Sequence, residues 1–342
     1  MHYILKNENA VYYECGFSCD NVIFLKLGDE AYFITDGRYT LEAKEKVKNA
    51  SVIDGGFSLA KSARKLIRKN RVKKIYYDPL CWSVADFKEL SSKLSCNFTP
   101  QKKLSQKKRI IKSQEEIQII KKAVKLGQES FESFAKFLQK EGFSKDEKYL
   151  HYKATDILSH KGDLSLSFDP IVAIDENGAK PHALPTKTKL KDNSVLLFDA
   201  GVKYKRYCSD RTRVLEFHTD KELNFSKEQR FASNLKQKVY DTVLKAQEEA
   251  MRFAKPGVKA CEVDKVAREI IEKAGFGSYF IHSTGHGVGL DIHELPVISK
   301  RDETILQEGM IFTVEPGIYL PGEFGVRIED MVLLTRNGAE IL

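Results

Sequence analysis

The chain has 342 residues, of which 42% are apolar and 30% charged, and its net charge is +8. This length favours two domains over a single hydrophobic core, and the composition excludes collagen-like, low-complexity and disulfide-scaffold classes. No apolar run reaches the roughly 18 residues of a membrane helix, and the N-terminus lacks the apolar core of a signal peptide. We therefore expect a cytoplasmic protein that does not bind membranes.

Positive charge is concentrated in the first third of the chain. Residues 1–112 hold 22 Lys and Arg against 12 Asp and Glu, a net charge of +10, whereas the remainder has a net charge of −2. A basic domain can indicate nucleic acid binding. However, the cations of the segment 61–74 alternate with apolar residues as on an amphipathic helix with a solvated face. We favour the solvated helix and expect no nucleic acid partner.

The first 112 residues predict a small α/β domain. Apolar strand-like runs at 22–25, 31–35 and 74–77 alternate with helical stretches near 39–49, 59–70 and 82–94, a pattern typical of an α/β layer. A polar, basic stretch at 101–112 follows Pro100. The segment Ser113–Glu116 then reads as a capping box, so we place the second domain at 113–342.

The second domain predicts two related halves, each with helices and one hairpin that carries carboxylates. Helices are expected near Glu115–Lys140, Lys145–His160, Lys227–Ala254 and Cys261–Ala274. Strands are expected near Ile171–Ile174, Val195–Gly201, Tyr207–Phe217, Met310–Tyr319 and Phe324–Leu334. Two such halves would close around a shared site.

The first hairpin carries Asp199 and Asp210 on either side of the polar turn Lys203–Arg206. A turn centred midway between them would place the two carboxylates directly opposite each other. Directly paired residues have Cβ atoms roughly 4.5–5.5 Å apart. Two carboxylates at that distance can share metal ions that lie about 3.5–4 Å apart.

The second hairpin repeats this layout with Glu315 and Glu329, which are equidistant from Gly322 in the turn Leu320–Glu323. Between the two hairpins, the segment His282–Gly289 supplies His286 among glycines, which allow close approach of the backbone. The five residues form a hard, oxygen-rich ligand set without a thiolate. This set favours two divalent metals, manganese before cobalt or zinc.

The alternative for any one of these acids is a solvent-facing strand carboxylate. That alternative is weak for Asp199, because four consecutive apolar residues, 195–198, precede it in what reads as a buried strand. Glu315 follows the apolar segment 310–314 in the same way. An unpaired buried charge costs several kcal/mol, and metal coordination can offset that cost. We therefore expect a hydrolytic centre with two metals.

Six segments resemble the pita-bread metallopeptidase family and, within it, the Xaa-Pro peptidases aminopeptidase P and prolidase. They occur in the family's order and are far more specific together than singly: Phe198–Gly201, Tyr207–Arg213, Gly285–Gly289, Ile292–Pro296, Val314–Tyr319 and Val326–Asp330. The resemblance runs from about Ser113 to the C-terminus. It is looser before that, where Ile34–Tyr39 looks like a segment of the family's N-terminal domain.

The resemblance implies an α+β fold with a small creatinase-like α/β domain before a catalytic pita-bread domain. That domain would have a curved antiparallel sheet and two pseudo-symmetric halves. The implied reaction is hydrolysis of the bond between an N-terminal residue and a following proline, by a hydroxide that bridges two metals. Proline-containing peptides would be the substrates, and we expect a homodimer.

Further roles follow from the resemblance and from the residues themselves. It implies that His293 reaches the scissile carbonyl and stabilises the oxyanion, and that His182 and His282 contact substrate. Glu315 is suited to accept a proton from the attacking water. Arg327 is expected to bind a carboxylate of the substrate or site, and Thr212 and Tyr319 are expected to orient ligands.

Four alternatives stay open. A prolidase would accept dipeptides alone, and one sequence does not place the arginine that would hold the dipeptide carboxylate; we favour the aminopeptidase. Methionine aminopeptidase and creatine amidinohydrolase fit less well, because of the extra N-terminal domain and the complete ligand set respectively. A pita-bread module that only binds other molecules would generally have lost metal ligands, and all five are present here.

Overall fold

The computed structural model describes all residues from Met1 to Leu342, and these form two compact units, Met1–Arg109 and Ile110–Leu342. The boundary expected from sequence lies three residues later, between residues 112 and 113. None of the helices combines the length and the apolar character that crossing a bilayer requires.

The first unit is an α/β layer, as the alternation of strand and helix signals predicts. Its strands are β1 (Tyr3–Leu5), β2 (Val22–Leu27), β3 (Glu30–Thr35), β4 (Ser51–Asp54), β5 (Lys74–Tyr77) and β6 (Asn97–Pro100). They form one mixed sheet in the order β4-β3-β2-β1-β5-β6. Its helices are α1 (Glu8–Cys15), α2 (Thr40–Lys46), α3 (Leu59–Lys69), α4 (Val84–Ser91) and α5 (Leu104–Lys108).

Helix α3 is amphipathic, and its polar face is basic. It buries Leu59, Ala60, Ala63 and Ile67 against one face of the sheet. The lysines and arginines of residues 61–69 lie mostly on the opposite, exposed side. The periodicity in the sequence therefore predicted the helix and its buried face correctly.

The second unit is built from four long helices and a set of antiparallel strands. The helices are α6 (Gln114–Phe137), α7 (Glu147–Leu158), α8 (Asn234–Phe253) and α9 (Ala260–Lys273). The strands of its first half are β7 (Ser165–Leu166), β8 (Ile171–Ile174), β9 (Val195–Ala200), β10 (Val202–Tyr204), β11 (Tyr207–Cys208) and β12 (Arg211–Glu216). The remaining strands are β13 (Gly285–Gly287), β14 (Glu294–Ile298), β15 (Ile311–Val314), β16 (Gly317–Leu320), β17 (Phe324–Arg327), β18 (Asp330–Thr335) and β19 (Gly338–Ile341).

Four sheets organise these strands, in the orders β11-β10-β7, β12-β9-β8, β14-β13-β15-β18-β19 and β16-β17. Every pairing among them is antiparallel. Helix α6 begins with the predicted capping box, in which Ser113 and Glu116 exchange hydrogen bonds of 3.2 and 2.8 Å. Three strands expected to be continuous are each broken near a carboxylate, at residues 209–210, 315–316 and 328–329.

Two apolar clusters cover opposite faces of strand β9, which explains its unbroken apolar run. Leu196 and Phe198 pack with helices α6 and α7, whereas Val195 and Leu197 pack with helices α8 and α9. Asp199 follows Val195 and Leu197 at the same two-residue spacing and therefore lies on their face of the strand. The strand therefore directs this carboxylate inward, toward the half that contains β15–β18.

Candidate metal centre

The register of the first hairpin differs from the one expected. Strand β9 pairs with β12 so that Asp199 lies opposite Thr212 and Ala200 opposite Arg211. Asp210 is therefore diagonal to Asp199 on the same face, a position about 7–8 Å away in an antiparallel pair, and the expectation of direct pairing is wrong. The cause is the turn, whose tip is Lys205–Arg206 rather than the whole segment Lys203–Arg206.

The register of the second hairpin is as expected. Gly317 pairs with Arg327 on one side of the strand interruptions at 315–316 and 328–329, and Val314 pairs with Asp330 on the other. Both pairings are centred on Gly322. Glu315 and Glu329 therefore lie opposite each other, each just outside a regular strand.

His286 is at the centre of the acidic cluster. Its Nε2 atom lies 3.2 Å from Oε1 of Glu315 and 3.6 Å from Oδ2 of Asp210. Potential ligand atoms of Asp210, His286 and Glu329 all lie within 4.8 Å of one another. The structure thus brings four of the five predicted ligands close together: Asp210 from the first hairpin, Glu315 and Glu329 from the second, and the histidine between them.

The fifth predicted ligand, Asp199, is held beside this group by Arg327. The Nη2 atom of Arg327 donates to Oδ2 of Asp199 at 2.6 Å. The other carboxylate oxygen, Oδ1, is buried and accepts no hydrogen bond from the protein. A buried carboxylate oxygen without a donor costs free energy that a cation would recover.

Burial and mutual repulsion oppose the simultaneous ionisation of the carboxylates in this cluster. Burial, together with the charges of Glu329 and Asp199, raises the pKa of Asp210 well above its ordinary value. Burial and the charge of Glu315 likewise raise the pKa of Glu329. Burial opposes ionisation of Glu315 as well, but the hydrogen bond and charge of His286 lower its pKa to about 2. So many carboxylates ionise together only when a cation compensates them.

Arg327 has several hydrogen-bond partners. Besides Asp199, it donates to Oγ1 of Thr212 at 3.1 Å and to the hydroxyl of Tyr319 at 2.7 Å. Thr212 in turn donates to Oε2 of Glu329 at 2.7 Å. Arg327 therefore does bind a carboxylate, but that carboxylate is Asp199 and the contact is not bidentate.

His282 lies at the other end of the same chain of hydrogen bonds, with its Nε2 atom 2.8 Å from the hydroxyl of Tyr319. Burial lowers the pKa of His282. The ring of His293 packs edge-on against that of His286, with centroids 4.4 Å apart. Burial, His286 and His182 together lower the pKa of His293. These contacts leave both imidazoles neutral near pH 7.

His182 is exposed, on the loop that passes Arg327. The carbonyl of the preceding residue, Pro181, accepts a hydrogen bond from Nη1 of Arg327 at 3.3 Å. The charge of His182 influences His293. The three histidines thus border the cluster from separate loops, whereas His286 lies within it.

The glycines around His286 permit the close packing of this segment. A Cβ atom on Gly285 would lie 1.9 Å from the carbonyl oxygen of Thr313, and one on Gly287 would lie 2.2 Å from that of Leu295. Thr313 also donates to Glu315 at 3.1 Å and accepts from the amide of His286 at 3.1 Å. This threonine orients two candidate ligands, and the sequence reasoning did not identify it.

Two buried ion pairs behind the cluster were also missed. Lys112 contacts Glu294 at 2.9 Å, and Arg213 contacts Asp330 at 2.5 Å. The acid of each pair is the chain neighbour of a predicted site residue: Glu294 follows His293, and Asp330 follows Glu329. A charged residue at an inward position of a buried strand is the signal that could have revealed Arg213.

The donor set fits divalent metal ions. Four carboxylates and one imidazole supply hard oxygen ligands and a nitrogen, without sulfur. Oδ1 of Asp199 has no other partner, and Asp210, His286 and Glu329 already converge. Asp199, Asp210, His286, Glu315 and Glu329 are the residues that could hold two such ions.

Comparison with known proteins places this site in context. Residues 118–336 match the profile of Metallopeptidase family M24. An uncharacterized peptidase of Bacillus subtilis is 34% identical to this chain over 336 residues, which cover 98% of this chain and 91% of that protein.

Two solved structures are similar along nearly the whole chain. An Xaa-Pro dipeptidase from Bacillus anthracis has a TM-score of 0.90 and 31% identity, covering 99% of this chain and 92% of that one. An X-Pro aminopeptidase from Thermotoga maritima MSB8 has a TM-score of 0.85 and 32% identity, covering 99% and 94%. These similarities confirm the expected α+β architecture, with an N-terminal domain before a pita-bread domain.

Proposed function

Because the chain belongs to metallopeptidase family M24, we propose that it hydrolyses the peptide bond between an N-terminal residue and a following proline. The observation that carries this proposal is the convergence of Asp210, His286 and Glu329 within 4.8 Å. The full ligand set in the proposal is these three residues with Asp199 and Glu315. We propose two manganese ions as the metals, since four of the five side chains offer hard oxygen ligands.

Bound divalent metals would supply Lewis acidity and would make water a stronger acid near neutral pH. We assign the proton transfer to Glu315. Its carboxylate accepts a proton from the attacking water and returns it to the prolyl nitrogen as the C–N bond breaks. The products are a free amino acid and a peptide that begins with proline.

The histidines that border the cluster are assigned to the substrate. His293, neutral and beside His286, donates a hydrogen bond to the oxygen of the scissile carbonyl as its charge develops. His182 and His282 contact the residues on either side of the bond. An Xaa-Pro bond has no N–H group that could donate a hydrogen bond. None of the proposed contacts requires such a donor from the substrate.

Arg327 is assigned a positioning role rather than the substrate contact expected from sequence. Its side chain is buried, and its donors reach Asp199, Thr212, Tyr319 and the carbonyl of Pro181. It therefore holds Asp199 in place and joins that residue to Tyr319 and His282. Thr212 performs the same task for Glu329.

The preferred peptide length has two candidates. We favour an aminopeptidase that acts on longer peptides, and one of the similar structures is an X-Pro aminopeptidase. One observation favours a dipeptidase instead. A pocket beside His282 is lined by Lys300 and Arg301, and either cation is suited to hold the free carboxylate of a dipeptide.

A comparison of substrates and metals tests the proposal. Chelated protein and the same sample reloaded with manganese would be assayed on Gly-Pro, on a tripeptide with proline second, and on matched peptides with alanine in place of proline. We expect hydrolysis only after reloading and only of the proline peptides. Faster cleavage of the tripeptide would identify an aminopeptidase, and exclusive cleavage of Gly-Pro a dipeptidase. Equal rates with and without metal would refute the proposed mechanism.

The expected cytoplasmic location and homodimeric state stay predictions.

A further inference from the structure

Two arginines cross between the carboxylate hairpins in opposite directions. Arg327, on β17 of the second hairpin, donates to Asp199 and Thr212 of the first. Arg213, on β12 of the first hairpin, donates to the carbonyl oxygen of Glu329 at 2.5 Å and to Oδ1 of Asp330 at 2.5 Å, both in the second hairpin. Each hairpin is thus fixed by an arginine that the other one supplies.

Arg213 completes the contacts that hold Glu329. The amide of Glu329 donates to the carbonyl of Thr212 at 3.1 Å, and its side chain accepts from the hydroxyl of Thr212 at 2.7 Å. The carbonyl of Glu329 accepts from Nη1 of Arg213, which also donates to the carbonyl of Thr212 at 2.9 Å. The guanidinium therefore lies across the junction between the two hairpins. It holds the backbone of Glu329 at a point where that residue belongs to no strand.

The ion pair of Arg213 and Asp330 is shielded from solvent. The side chain of Arg213 is 3% exposed and that of Asp330 is 8% exposed. Asp330 also accepts from Nζ of Lys227 at 2.6 Å and from Nε2 of Gln247 at 2.9 Å. Gln247 donates in addition to the carbonyl of Val314 at 3.2 Å, which directly precedes Glu315. Loss of one partner from such a buried group leaves the others uncompensated.

We propose that Arg213 is a positioning residue of the metal centre, which sets the placement of Glu329 relative to the first hairpin. The inference rests on the proposed metal ligands but not on the proposed specificity for proline. Arg213 acts through Glu329 and Asp330 and has no direct contact with the candidate ligand atoms of His286 or Asp210. Residues of this kind behind a metal site typically contribute 10- to 100-fold in metal affinity or activity.

The test compares Arg213→Met, Arg213→Lys and Asp330→Asn with the matched variant Glu216→Gln. Glu216 is a buried charged residue on the same strand β12, but its partners are Lys236, His218 and the amide of Ala232, not the second hairpin. Manganese binding to chelated protein would be measured by calorimetry, the free energy of unfolding by urea, and kcat and KM on Gly-Pro.

We expect Arg213→Met and Asp330→Asn to weaken manganese binding by at least tenfold and to lower kcat more than they raise KM. Arg213→Lys should lose less, because it keeps one cation but not the two-pronged contact. Glu216→Gln should bind manganese within about twofold of the parent, even where it lowers the free energy of unfolding. If Arg213→Met does not fold, Arg213→Lys and Asp330→Asn decide the outcome.

Two results would overturn the inference. One is a folded Arg213→Met protein that binds manganese like the parent. The other is a Glu216→Gln protein that loses as much affinity as the Arg213 variants, which would indicate a general loss of stability. A parent protein that binds manganese but leaves Xaa-Pro peptides intact would refute the proposed function without touching this inference.

Discussion

The two carboxylate hairpins deliver their acids to the same site by different routes. In the first, Asp199 lies within the ladder opposite Thr212, and Asp210 is on the diagonal, just before strand β12. In the second, Glu315 and Glu329 face each other outside the ladders, between the pairing of β15 with β18 and the pairing of β16 with β17. The longer glutamates leave the ladder at these breaks, whereas Asp199 is fixed by the pleat of a buried strand.

The difference shows how a metal site can use two imperfectly matched halves. A regular ladder alternates its side chains between two faces, so it limits how many residues can converge on one point. Breaks at 315–316 and 328–329 release the second pair from that alternation. Arg213 and Arg327 donate hydrogen bonds across the two hairpins, to the carbonyl of Glu329 and the carboxylate of Asp199 respectively.

Among the changes that test this comparison, replacement of Asp210 by Asn should have the largest effect on manganese affinity and turnover. The change keeps the shape of the side chain but removes one negative charge from a centre proposed to hold two dications. We expect manganese affinity and turnover each to fall by about 100-fold or more, while the protein keeps its fold. Calorimetry and Gly-Pro hydrolysis on the same sample would measure both.

The matched variant Glu329→Gln makes the same change in the second hairpin, and Asp220→Asn makes it at an exposed site. Equal losses in Asp210→Asn and Glu329→Gln would indicate that both hairpins supply ligands. The exposed control should behave like the parent, within about 0.5 kcal/mol in stability. An active, fully metallated Asp210→Asn protein would refute the reading with two metals.

An intermediate effect is expected on the stability of the metal-free protein. Because burial and neighbouring charges raise the pKa of Asp210, the folded state binds more protons than the unfolded state at pH values between the ordinary pKa and the raised one. The free energy of unfolding therefore falls as pH rises through that range. Asp210→Asn removes this proton linkage.

Urea unfolding of chelated parent and Asp210→Asn from pH 4 to pH 8 would test the sign. The two proteins should have similar stability at pH 4, and the variant should become the more stable one as pH rises. Saturating manganese should reverse that order, since it binds the parent more tightly. A difference between the two proteins that does not depend on pH would show that Asp210 is ionised throughout.

The sequence predicted the second hairpin better than the first, and the turns explain why. Pro321 and Gly322 occupy the central positions of a type II turn, with Gly322 at φ +77° and a hydrogen bond from Glu323 to Leu320. That pair is a strong sequence signal. Lys205 and Arg206 form the two-residue loop of the first hairpin with φ values of +47° and +71°, a geometry in which Asn-Gly is usual. Nothing in their chemistry marks the centre of the turn, so the register was misplaced.

Asp199, Glu315 and His286 could be proposed as ligands because the first two follow apolar runs and the third lies among glycines. The contacts behind them could not. Helix α8 was expected from Lys227 but begins at Asn234, and Lys227 contacts Asp330 across the fold. Likewise Arg213 and Thr313 each contact a residue that is distant in sequence, Glu329 and His286 respectively. Periodicity records which face is buried, not which distant group a polar residue meets.

The smallest expected effects concern the two turns, and they should have opposite signs. In Gly322→Ala, a residue with a Cβ atom must adopt φ near +77°, which costs roughly 1–2 kcal/mol. In Lys205→Asn, the left-handed position receives a residue that tolerates it better. The loss of the contact between Nζ of Lys205 and the ring of Tyr204, 5.7 Å apart, offsets part of that gain, so the net stabilisation should stay below about 0.5 kcal/mol.

Urea midpoints of the manganese-loaded proteins would measure both shifts, and manganese stoichiometry should be unchanged because neither turn contains a ligand. If Gly322→Ala also lost a metal, the register of the second hairpin would depend on its turn rather than on the ladders on either side of the glutamates, and the contrast drawn between the two hairpins would fail.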